Sequence, residues 1–297
     1  MNTHKKNIII NPEFYIAEFI KKPDEPNLLF IHGGPGSNSA ILEYLIINNH
    51  LFNTLNYNII LYDQRGCGKS KKNSDSVNHQ DNINDLHKII NILRMKGKKI
   101  HGLIGHSYGA KLLFDYYKIF HSTLPGIFIS TSNSIITPRI NNLILDLAYL
   151  KKTNITQYKI LYQQIDNLEL EKIWDISEKL APLFNKNPDR PLMYWANLEC
   201  YAIVQHAQNT LDLPLNTPIF QSVRKDLYLD KNNFSIDIHS LSIPYLWING
   251  FHDYIMGRPQ NEFSNNKNYL TFYKSAHYPH LEENILFCEH LNAFFKN

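Results

Sequence analysis

The chain has 297 residues, of which 43% are hydrophobic and 19% are charged, enough to bury a central sheet under helices on both faces. A formal net charge of only +3 excludes the basic stripe typical of nucleic-acid-binding proteins, so no nucleic acid partner is expected. The three cysteines lie far apart and form no CxxC pair, which indicates free thiols in a reducing compartment rather than a disulfide framework.

The sequence predicts neither a membrane-spanning segment nor a signal peptide. It contains no apolar run of about 18 residues or more. Residues 1–10 include a pair of lysines, but the apolar run after them is too short for the apolar region of a signal peptide. We therefore expect a soluble, cytoplasmic protein with no membrane partner, and its oligomeric state stays open.

Short apolar runs alternate with amphipathic segments in the first third of the chain and again near its end. Strands are predicted over 27–31, 57–62, 99–104, 126–130, 243–248 and 269–273. Helices are predicted over 81–96, 110–120 and 281–295. This alternation is typical of an α/β fold with a parallel sheet and right-handed crossovers.

A long middle block, from about residue 138 to residue 230, interrupts the alternation. It favours helix, is rich in Leu, Tyr, Trp and Asn, and has few strand signals. It contains no internal repeat and no low-complexity linker. We therefore expect an α/β core formed by residues 1–136 and 237–297, with residues 137–236 as a helical cap over the strand ends.

The pentapeptide Gly105–His106–Ser107–Tyr108–Gly109 fits the pattern G-x-S-x-G. A strand is predicted before it and a helix after it, as a nucleophile elbow requires. The glycines permit a strained turn and close backbone packing. The hydroxyl of Ser107 then projects at the tip of the turn, beside a helix N-terminus that stabilises negative charge. Ser107 is therefore the candidate nucleophile.

A serine hydroxyl needs a base to take its proton, and the base needs a third group to orient it. On a sheet of this kind, the order along the chain is serine, acid, histidine. Asp253 follows the strand predicted over 243–248, and His277 follows the strand predicted over 269–273. Both lie at carboxyl ends of strands, the edge where such sheets bind ligands. They are the predicted acid and base.

Three other residues compete for these roles. The spacing of His280 from His277 would suit a metal site, but no nearby Cys or carboxylate completes one, so no metal is predicted. His252 flanks Asp253 and is expected to be a loop histidine. Asp237 precedes the last strands and is expected to cap a turn.

Acyl transfer through a serine creates an oxyanion, which backbone N–H groups must stabilise. One predicted donor is the amide of Tyr108, directly after the nucleophile. The other is expected from the loop His32–Gly33–Gly34–Pro35–Gly36, with Gly34 as the candidate. Glycines suit this role because they let the backbone approach the reacting carbonyl.

The loop Asp63–Gln64–Arg65–Gly66–Cys67–Gly68–Lys69–Ser70 ends in Gly-Lys-Ser but is not predicted to bind a nucleotide. A P-loop needs a glycine five positions before Gly68, and that position holds Asp63. We expect instead that Asp63 and Arg65 pair with each other and brace the oxyanion loop.

The three loops quoted above resemble the signature loops of the proline iminopeptidase family, which are α/β-hydrolases that remove N-terminal residues, often proline, from peptides. Gly250–Phe251–His252–Asp253 and Ala276–His277–Tyr278–Pro279–His280–Leu281–Glu282 are similar to the acid and histidine segments of that family. The resemblance covers residues 10–136 and 236–297. It implies an α/β-hydrolase fold, with a mostly parallel central sheet flanked by helices and a helical cap insertion.

In that family, a cap glutamate in a W-x-x-W-E segment holds the free amino group of the peptide. Trp195–Ala196–Asn197–Leu198–Glu199 resembles this segment, with leucine in place of the second tryptophan. The resemblance implies Glu199 and Trp195 as substrate-binding residues, and a carboxylate suits a buried ammonium group. A glutamate on a helix face with no such role fits the sequence equally. His106 and Tyr108 stand where proline-specific members often have Gly and Trp.

Together these residues predict a serine hydrolase that acts through an acyl-enzyme on a small-molecule or short-peptide substrate, without a cofactor. The predicted activity is that of an aminopeptidase on small peptides or amino-acid amides. Two alternatives stay open: an esterase, lactonase or thioesterase acting on a small metabolite, and a non-catalytic ligand-binding member of the same fold. Ser107 argues against epoxide hydrolases and dehalogenases, which have an aspartate at the elbow.

Overall fold

A computed structural model describes residues 4–70, 76–134, 136–164, 175–177, 179–180, 186–229, 236–257 and 267–296. Its strands are β1 (Lys5–Ile8), β2 (Ile16–Ile20), β3 (Asn27–Ile31), β4 (Asn58–Tyr62), β5 (Ile100–His106), β6 (Gly126–Ile129), β7 (Tyr245–Gly250) and β8 (Tyr269–Phe272). Its α-helices are α1 (Ala40–Ile47), α2 (His79–Met95), α3 (Tyr108–Phe120), α4 (Ile136–Thr153), α5 (Ile155–Tyr162), α6 (Leu198–Leu211), α7 (Thr217–Leu229), α8 (Pro279–Glu282) and α9 (Asn284–Lys296). In these described ranges, no helix has the length and apolar character that crossing a membrane requires.

The strands form one eight-stranded sheet in the order β1-β2-β4-β3-β5-β6-β7-β8. Neighbouring strands from β4 through to β8 are parallel, whereas β1 and β2 are antiparallel to their neighbours. The mostly parallel sheet predicted from the alternation of strands and helices is therefore confirmed. Because the parallel strands run in one direction, their carboxyl ends share one edge of the sheet, and the loops that follow them meet there.

The central strands are buried on both faces, which is why they read as continuous apolar runs in the sequence. Every residue of β3 and of β4 is buried. One face packs against α2 and α3, for example through Leu86 and Leu113. The other packs against α1 and α9, for example through Ile46 and Leu291. The sheet is thus a rigid frame for the loops at its carboxyl edge.

The antiparallel strands β1 and β2 were not among the predicted strands. β1 is largely exposed at the end of the sheet, and its sequence, Lys-Lys-Asn-Ile, contains no apolar run. β2 is buried, but Glu18 interrupts its apolar residues, and the Glu18 carboxylate pairs with Lys98 at 2.7 Å. A search for apolar runs misses both strands because each contains polar residues. Those of β1 are largely exposed, and the carboxylate of Glu18 in β2 is paired with Lys98.

All three predicted helices have different bounds in the structure, and α3 begins at Tyr108 instead of residue 110. α2 begins at His79, because Asn78 and Asp81 form a capping box that satisfies the first backbone N–H groups. The helix predicted over 281–295 is divided into α8 and α9, with Glu283 between them.

The described residues between β6 and β7 include α4 to α7 and add no strand to the sheet. Some of them share a separate apolar cluster, which includes Leu143, Leu150 and Leu161. The turn before α7 also contacts the glycine-rich loop after β3, because the N–H of Asn216 donates to the carbonyl of Gly36 at 2.8 Å. The described part of the middle block is therefore mainly helical, and it bonds directly to the carboxyl edge of the sheet.

Candidate active site

Ser107 lies on the turn between β5 and α3, at the carboxyl edge of the sheet. Its backbone has φ 55° and ψ −118°, a conformation that residues with a side chain rarely adopt. A Cβ atom at Gly105 would lie 2.5 Å from the carbonyl oxygen of Gly109, and one at Gly109 would lie 2.3 Å from that of Ile31. Both glycines of the pattern are therefore required, because the start of α3 packs directly on the ends of β3 and β5.

Asp253 and His277, which follow β7 and β8, form a hydrogen bond of 2.9 Å from His277 Nδ1 to Asp253 Oδ2. Asp253 is fully buried, and its Oδ1 accepts the backbone N–H groups of Ile255 and Met256, each at 3.0 Å. Both carboxylate oxygens are thus fixed by hydrogen bonds. Because Nδ1 donates its proton to the carboxylate, a neutral imidazole carries its lone pair on Nε2, the tautomer that a general base needs.

The backbone of His277 is held from two sides. Its N–H donates to the carbonyl of Tyr194 at 3.0 Å, and its own carbonyl accepts a hydrogen bond from Nε2 of His106 at 2.9 Å. Burial, followed by the charges of His280 and His277, lowers the pKa of His106 well below its usual value, so this ring is neutral. Neither contact is predictable from local sequence, because each joins residues that are far apart along the chain.

The glycine-rich loop after β3 lies against the elbow. A Cβ atom at Gly33 would be 3.2 Å from the Cβ of Ser107, and Gly34 has φ 128°, a region that favours glycine. Gly34 and Tyr108 line the same cavity as Ser107 and His277. The structure thus brings the two predicted oxyanion donors and the predicted nucleophile and base to one cavity, and the catalytic role of each stays a prediction.

The side chain of Tyr108 is anchored in a buried polar cluster behind the elbow. Its hydroxyl accepts a hydrogen bond from Asn82 at 2.8 Å and lies 3.1 Å from Nδ1 of His79. Nε2 of His79 is 2.7 Å from Asp115, which also pairs with Lys111 at 2.7 Å. Burial acts to raise the pKa of Asp115, but the hydrogen bond from His79 and the charge of Lys111 hold it below its usual value. No sequence motif marks this cluster.

The predicted pairing of Asp63 with Arg65 is wrong. Arg65 makes two hydrogen bonds to Asp85 on α2, at 2.7 and 2.6 Å. Asp63 is buried and accepts the N–H and the hydroxyl of Ser39, both at 2.7 Å, and the N–H of Lys69 at 2.8 Å. The turn after β4 directs the two side chains to different helices. Asp63 nevertheless braces the chain just after the glycine-rich loop, because Ser39 is the N-cap residue of α1.

A cavity of about 670 Å³ is lined by the loops at the carboxyl edge and by helices of the middle block. Trp195 lines this cavity and stacks on Tyr278, with ring centroids 4.3 Å apart. Glu199 is exposed on the first turn of α6, and it is not among the residues that line the cavity. Asn197, which caps α6, accepts the N–H of Glu199 at 2.9 Å, and the helix then carries the Glu199 side chain to solvent. Of the two predicted substrate-binding residues, only Trp195 lies at the cavity.

In the described part of the cavity wall, the carboxylate is that of Asp146, on α4. Its Oδ1 accepts a hydrogen bond from Nη1 of Arg190 at 2.9 Å, and the exposed fractions of the two side chains are 9% and 7%. Burial raises the pKa of Asp146, against the opposing charges of Arg190 and Arg139. Lys111, Arg139 and Arg224 also line the cavity, so its described wall has more cationic than anionic side chains. Asp146 was not predicted, because its partner is distant in the sequence.

Comparisons with known proteins agree with this arrangement. The model of the α/β-hydrolase fold family matches residues 26–284. A proline iminopeptidase of Saccharolobus solfataricus is 29% identical over 158 residues, which are 52% of this chain and 49% of that protein. A proline iminopeptidase of Arabidopsis thaliana is 31% identical over 121 residues, 38% of this chain and 30% of that protein. The chain thus matches about half or less of the length of these curated relatives.

Two solved structures show the same fold over the whole chain. A proline iminopeptidase-related protein from Thermus thermophilus has a TM-score of 0.65 at 15% identity, and the match covers 99% of this chain and 97% of that one. An esterase from Exiguobacterium antarcticum has a TM-score of 0.60 at 17% identity and covers 100% of both chains. Because the family model spans most of the sequence and the sheet is of the same kind, the chain belongs to the α/β-hydrolase fold family and is similar, within it, to proline iminopeptidases.

Proposed function

We propose that this protein is a serine hydrolase that acts through an acyl-enzyme, with Ser107 as nucleophile, His277 as base and Asp253 as the orienting acid. The observation that carries the proposal is the 2.9 Å hydrogen bond from His277 Nδ1 to the buried Asp253, beside a cavity that Ser107 also lines. This bond leaves the lone pair on Nε2 of His277, the atom that must accept the proton of the serine hydroxyl.

In the proposed reaction, the oxygen of Ser107 attacks the substrate carbonyl carbon and its proton passes to Nε2 of His277. The carbonyl electrons move to the oxygen, and the backbone N–H groups of Gly34 and Tyr108 stabilise the resulting oxyanion. The oxyanion collapses, the leaving group takes the proton from His277, and an ester of Ser107 remains. Water, activated by His277, then hydrolyses this ester by the same sequence of steps.

We further propose that the substrate is a small peptide or an amino-acid amide, so that the activity is that of an aminopeptidase. Curated relatives named as proline iminopeptidases support this choice. The exposed position of Glu199 removes it as the group that receives the substrate amine. In its place we propose Asp146, the carboxylate in the described cavity wall, and we propose that residues 137–236 form a helical cap over the strand ends.

One observation favours a second candidate, an esterase, lactonase or thioesterase on the same triad. The cationic side chains of Lys111, Arg139, Arg190 and Arg224 outnumber the carboxylate of Asp146 in the described cavity wall. The carboxylate of Asp146 is already bonded to Arg190, so the described wall offers little to hold a substrate ammonium group, whereas a neutral substrate needs no such partner. The two candidates share the acyl chemistry, so the substrates that the protein accepts distinguish them.

The test measures fluorophore release from prolyl and alanyl amides, from their N-acetyl forms and from a p-nitrophenyl ester, with Ser107→Ala as the inactive control. An aminopeptidase hydrolyses the amides that have a free amino group and does not hydrolyse their N-acetyl forms. Its KM for the free amides rises about tenfold or more in Asp146→Asn. Glu199→Gln, the matched charge removal outside the cavity, leaves KM unchanged. Turnover of the ester alone would establish the second candidate.

A non-catalytic ligand-binding protein is separated from both candidates by labelling with a fluorophosphonate probe. Wild-type protein labels and Ser107→Ala does not, if Ser107 is an activated nucleophile. Equal labelling of the two proteins, or none, would contradict the proposed mechanism.

A further inference from the structure

Glu282, at the end of α8, joins two distant parts of the chain through one carboxylate. Its Oε2 accepts the backbone N–H groups of Ala196 and Asn197, each at 2.7 Å. Its Oε1 accepts the N–H of Ala276 at 2.8 Å. Backbone donors from two places therefore converge on a single side chain, Ala196 and Asn197 from the segment before α6 and Ala276 from the loop after β8. Hydrogen bonds to an ionised carboxylate are stronger than those between neutral groups.

Both parts that Glu282 joins carry residues of the candidate site. Ala276 directly precedes His277, so the bond to Ala276 fixes the chain at the predicted base. The other segment carries Tyr194, whose carbonyl accepts the N–H of His277 at 3.0 Å and whose ring packs on the imidazole with centroids 5.4 Å apart. It also carries Trp195, which lines the cavity. The base and the cavity wall beside it thus meet at one carboxylate.

The neighbouring Glu283 provides a comparison. Its Oε2 accepts the N–H of Lys274 at 3.0 Å and the hydroxyl of Ser275 at 2.6 Å, both on the loop before His277. Glu283 therefore braces the loop by itself, without a hydrogen bond to the segment before α6. A carboxylate that served only to hold the loop would bond as Glu283 does. Glu282 reaches further, to the cavity wall.

We propose that Glu282 is a positioning residue that holds the imidazole of His277 and the cavity wall at Tyr194 and Trp195 in one fixed arrangement. The proposal rests on the serine-hydrolase mechanism given above. A glutamine at this position keeps one acceptor oxygen and turns an NH₂ group toward backbone N–H donors. At least one of the three hydrogen bonds is then lost, and the base and the wall are free to separate.

The experiment compares Glu282→Gln with Glu289→Gln, a matched charge removal at an exposed position on α9. The substrates are p-nitrophenyl acetate, which is too small to need the cavity wall, and p-nitrophenyl octanoate, which must contact it. In Glu282→Gln we expect kcat to fall about tenfold or more for both esters, because the base loses its orientation, and KM to rise for the octanoate alone. Glu289→Gln keeps wild-type values. A variant with unchanged kcat for the acetate would overturn the proposal.

A spectroscopic measurement tests the same proposal without a substrate. The proton on Nδ1 of His277, held by Asp253, gives a low-field imidazole N–H resonance, which we expect to broaden or disappear in Glu282→Gln and to persist in Glu289→Gln. An unchanged resonance in Glu282→Gln would refute the positioning role. If ester hydrolysis is insensitive to Ser107→Ala, the proposed mechanism fails, yet this resonance still reports on Glu282.

A second variant covers the case in which Glu282→Gln does not fold. Ala196→Pro removes a single N–H donor from the segment before α6, at an exposed position, and leaves the carboxylate in place. We expect a higher KM for the octanoate together with a shifted His277 resonance. An Ala196→Pro variant that folds and shows neither change would contradict the link between the wall and the base.

Discussion

Three histidine rings that line the cavity pack together, and on the proposed mechanism only the ring of His277 takes up a proton. The ring centroid of His106 lies 5.0 Å from that of His277 and 4.8 Å from that of His280. Burial lowers the pKa of both His106 and His280, that of His280 to about 3. On the proposed mechanism an imidazolium forms at His277, and the two neutral rings beside it do not repel the charge that Asp253 stabilises.

The low pKa of His280 predicts a loss of stability in mild acid. The unfolded chain protonates this histidine as pH falls through its usual value of 6.5, whereas the folded protein does not do so until about 3. The free energy of unfolding is therefore unaffected by protonation of His280 above about pH 6.5. Between about pH 6.5 and 3 it falls by up to about 1.4 kcal/mol per pH unit, because only the unfolded chain binds the proton. Urea unfolding of wild-type and His280→Leu at a series of pH values measures it.

His280→Leu should lose less unfolding free energy than wild-type protein as the pH is lowered. His50→Leu, a substitution at an exposed histidine, should show the wild-type pH dependence. Parallel curves for wild-type protein and His280→Leu would mean that His280 takes up its proton at the same pH in the fold as in the unfolded chain, despite the buried rings of Phe30 and Phe287 around it.

The backbone turn at Ser107 depends on how closely helix α3 can approach strand β3. Gly109 is the second residue of α3, and an added Cβ atom there would meet the carbonyl oxygens of Ile31 and His32 at 2.3 and 2.7 Å. These are backbone atoms of β3 and its loop, so the helix itself would have to move. Ser107 is the N-cap residue of the same helix and would move with it.

Gly109→Ala is therefore expected to lower both stability and activity, by about 2–3 kcal/mol in unfolding free energy and at least tenfold in kcat. The matched control is Gly97→Ala, at a glycine with φ 71° whose added Cβ atom would meet no atom within 4 Å. That change costs about 1 kcal/mol of backbone strain and leaves kcat unchanged. Calorimetry with ester kinetics checks both variants, and a wild-type kcat in Gly109→Ala would contradict the packing argument.

A feature of this fold is predictable from the sequence when the residues that form it lie close together along the chain. Strands β3 and β4 are predictable because each is apolar after its first residue, and Ser107 because its motif lies within five residues. The partner of Arg65 is not, because Asp85 becomes a neighbour only when α2 packs on the sheet. The same holds for Asp146 and Arg190, which meet only after the middle block has folded.

Asn216 connects the middle block to the loops at the carboxyl edge of the sheet, and its removal should loosen α7. The side chain of Asn216 donates to the carbonyl of Gly66 at 2.8 Å and accepts the N–H of Ile219 at 3.3 Å, so it links α7 to the loop after β4. Asn216→Ala should increase hydrogen exchange in α7, because both bonds are lost, and leave β3 and β5 protected. Gln80→Ala, on the exposed side of α2, is the control. Unchanged exchange in α7 would show that Asn216 does not hold it.

The order of the strands has a consequence for how the protein is made. Ser107 follows β5, near the middle of the sheet, whereas Asp253 and His277 follow β7 and β8, which leave the ribosome only after the whole middle block. A nascent chain can therefore complete the serine turn long before it has a base to activate it. On the proposed mechanism, hydrolysis begins only once β7 and β8 have paired, and a half-synthesised chain is harmless to the peptides and esters around it.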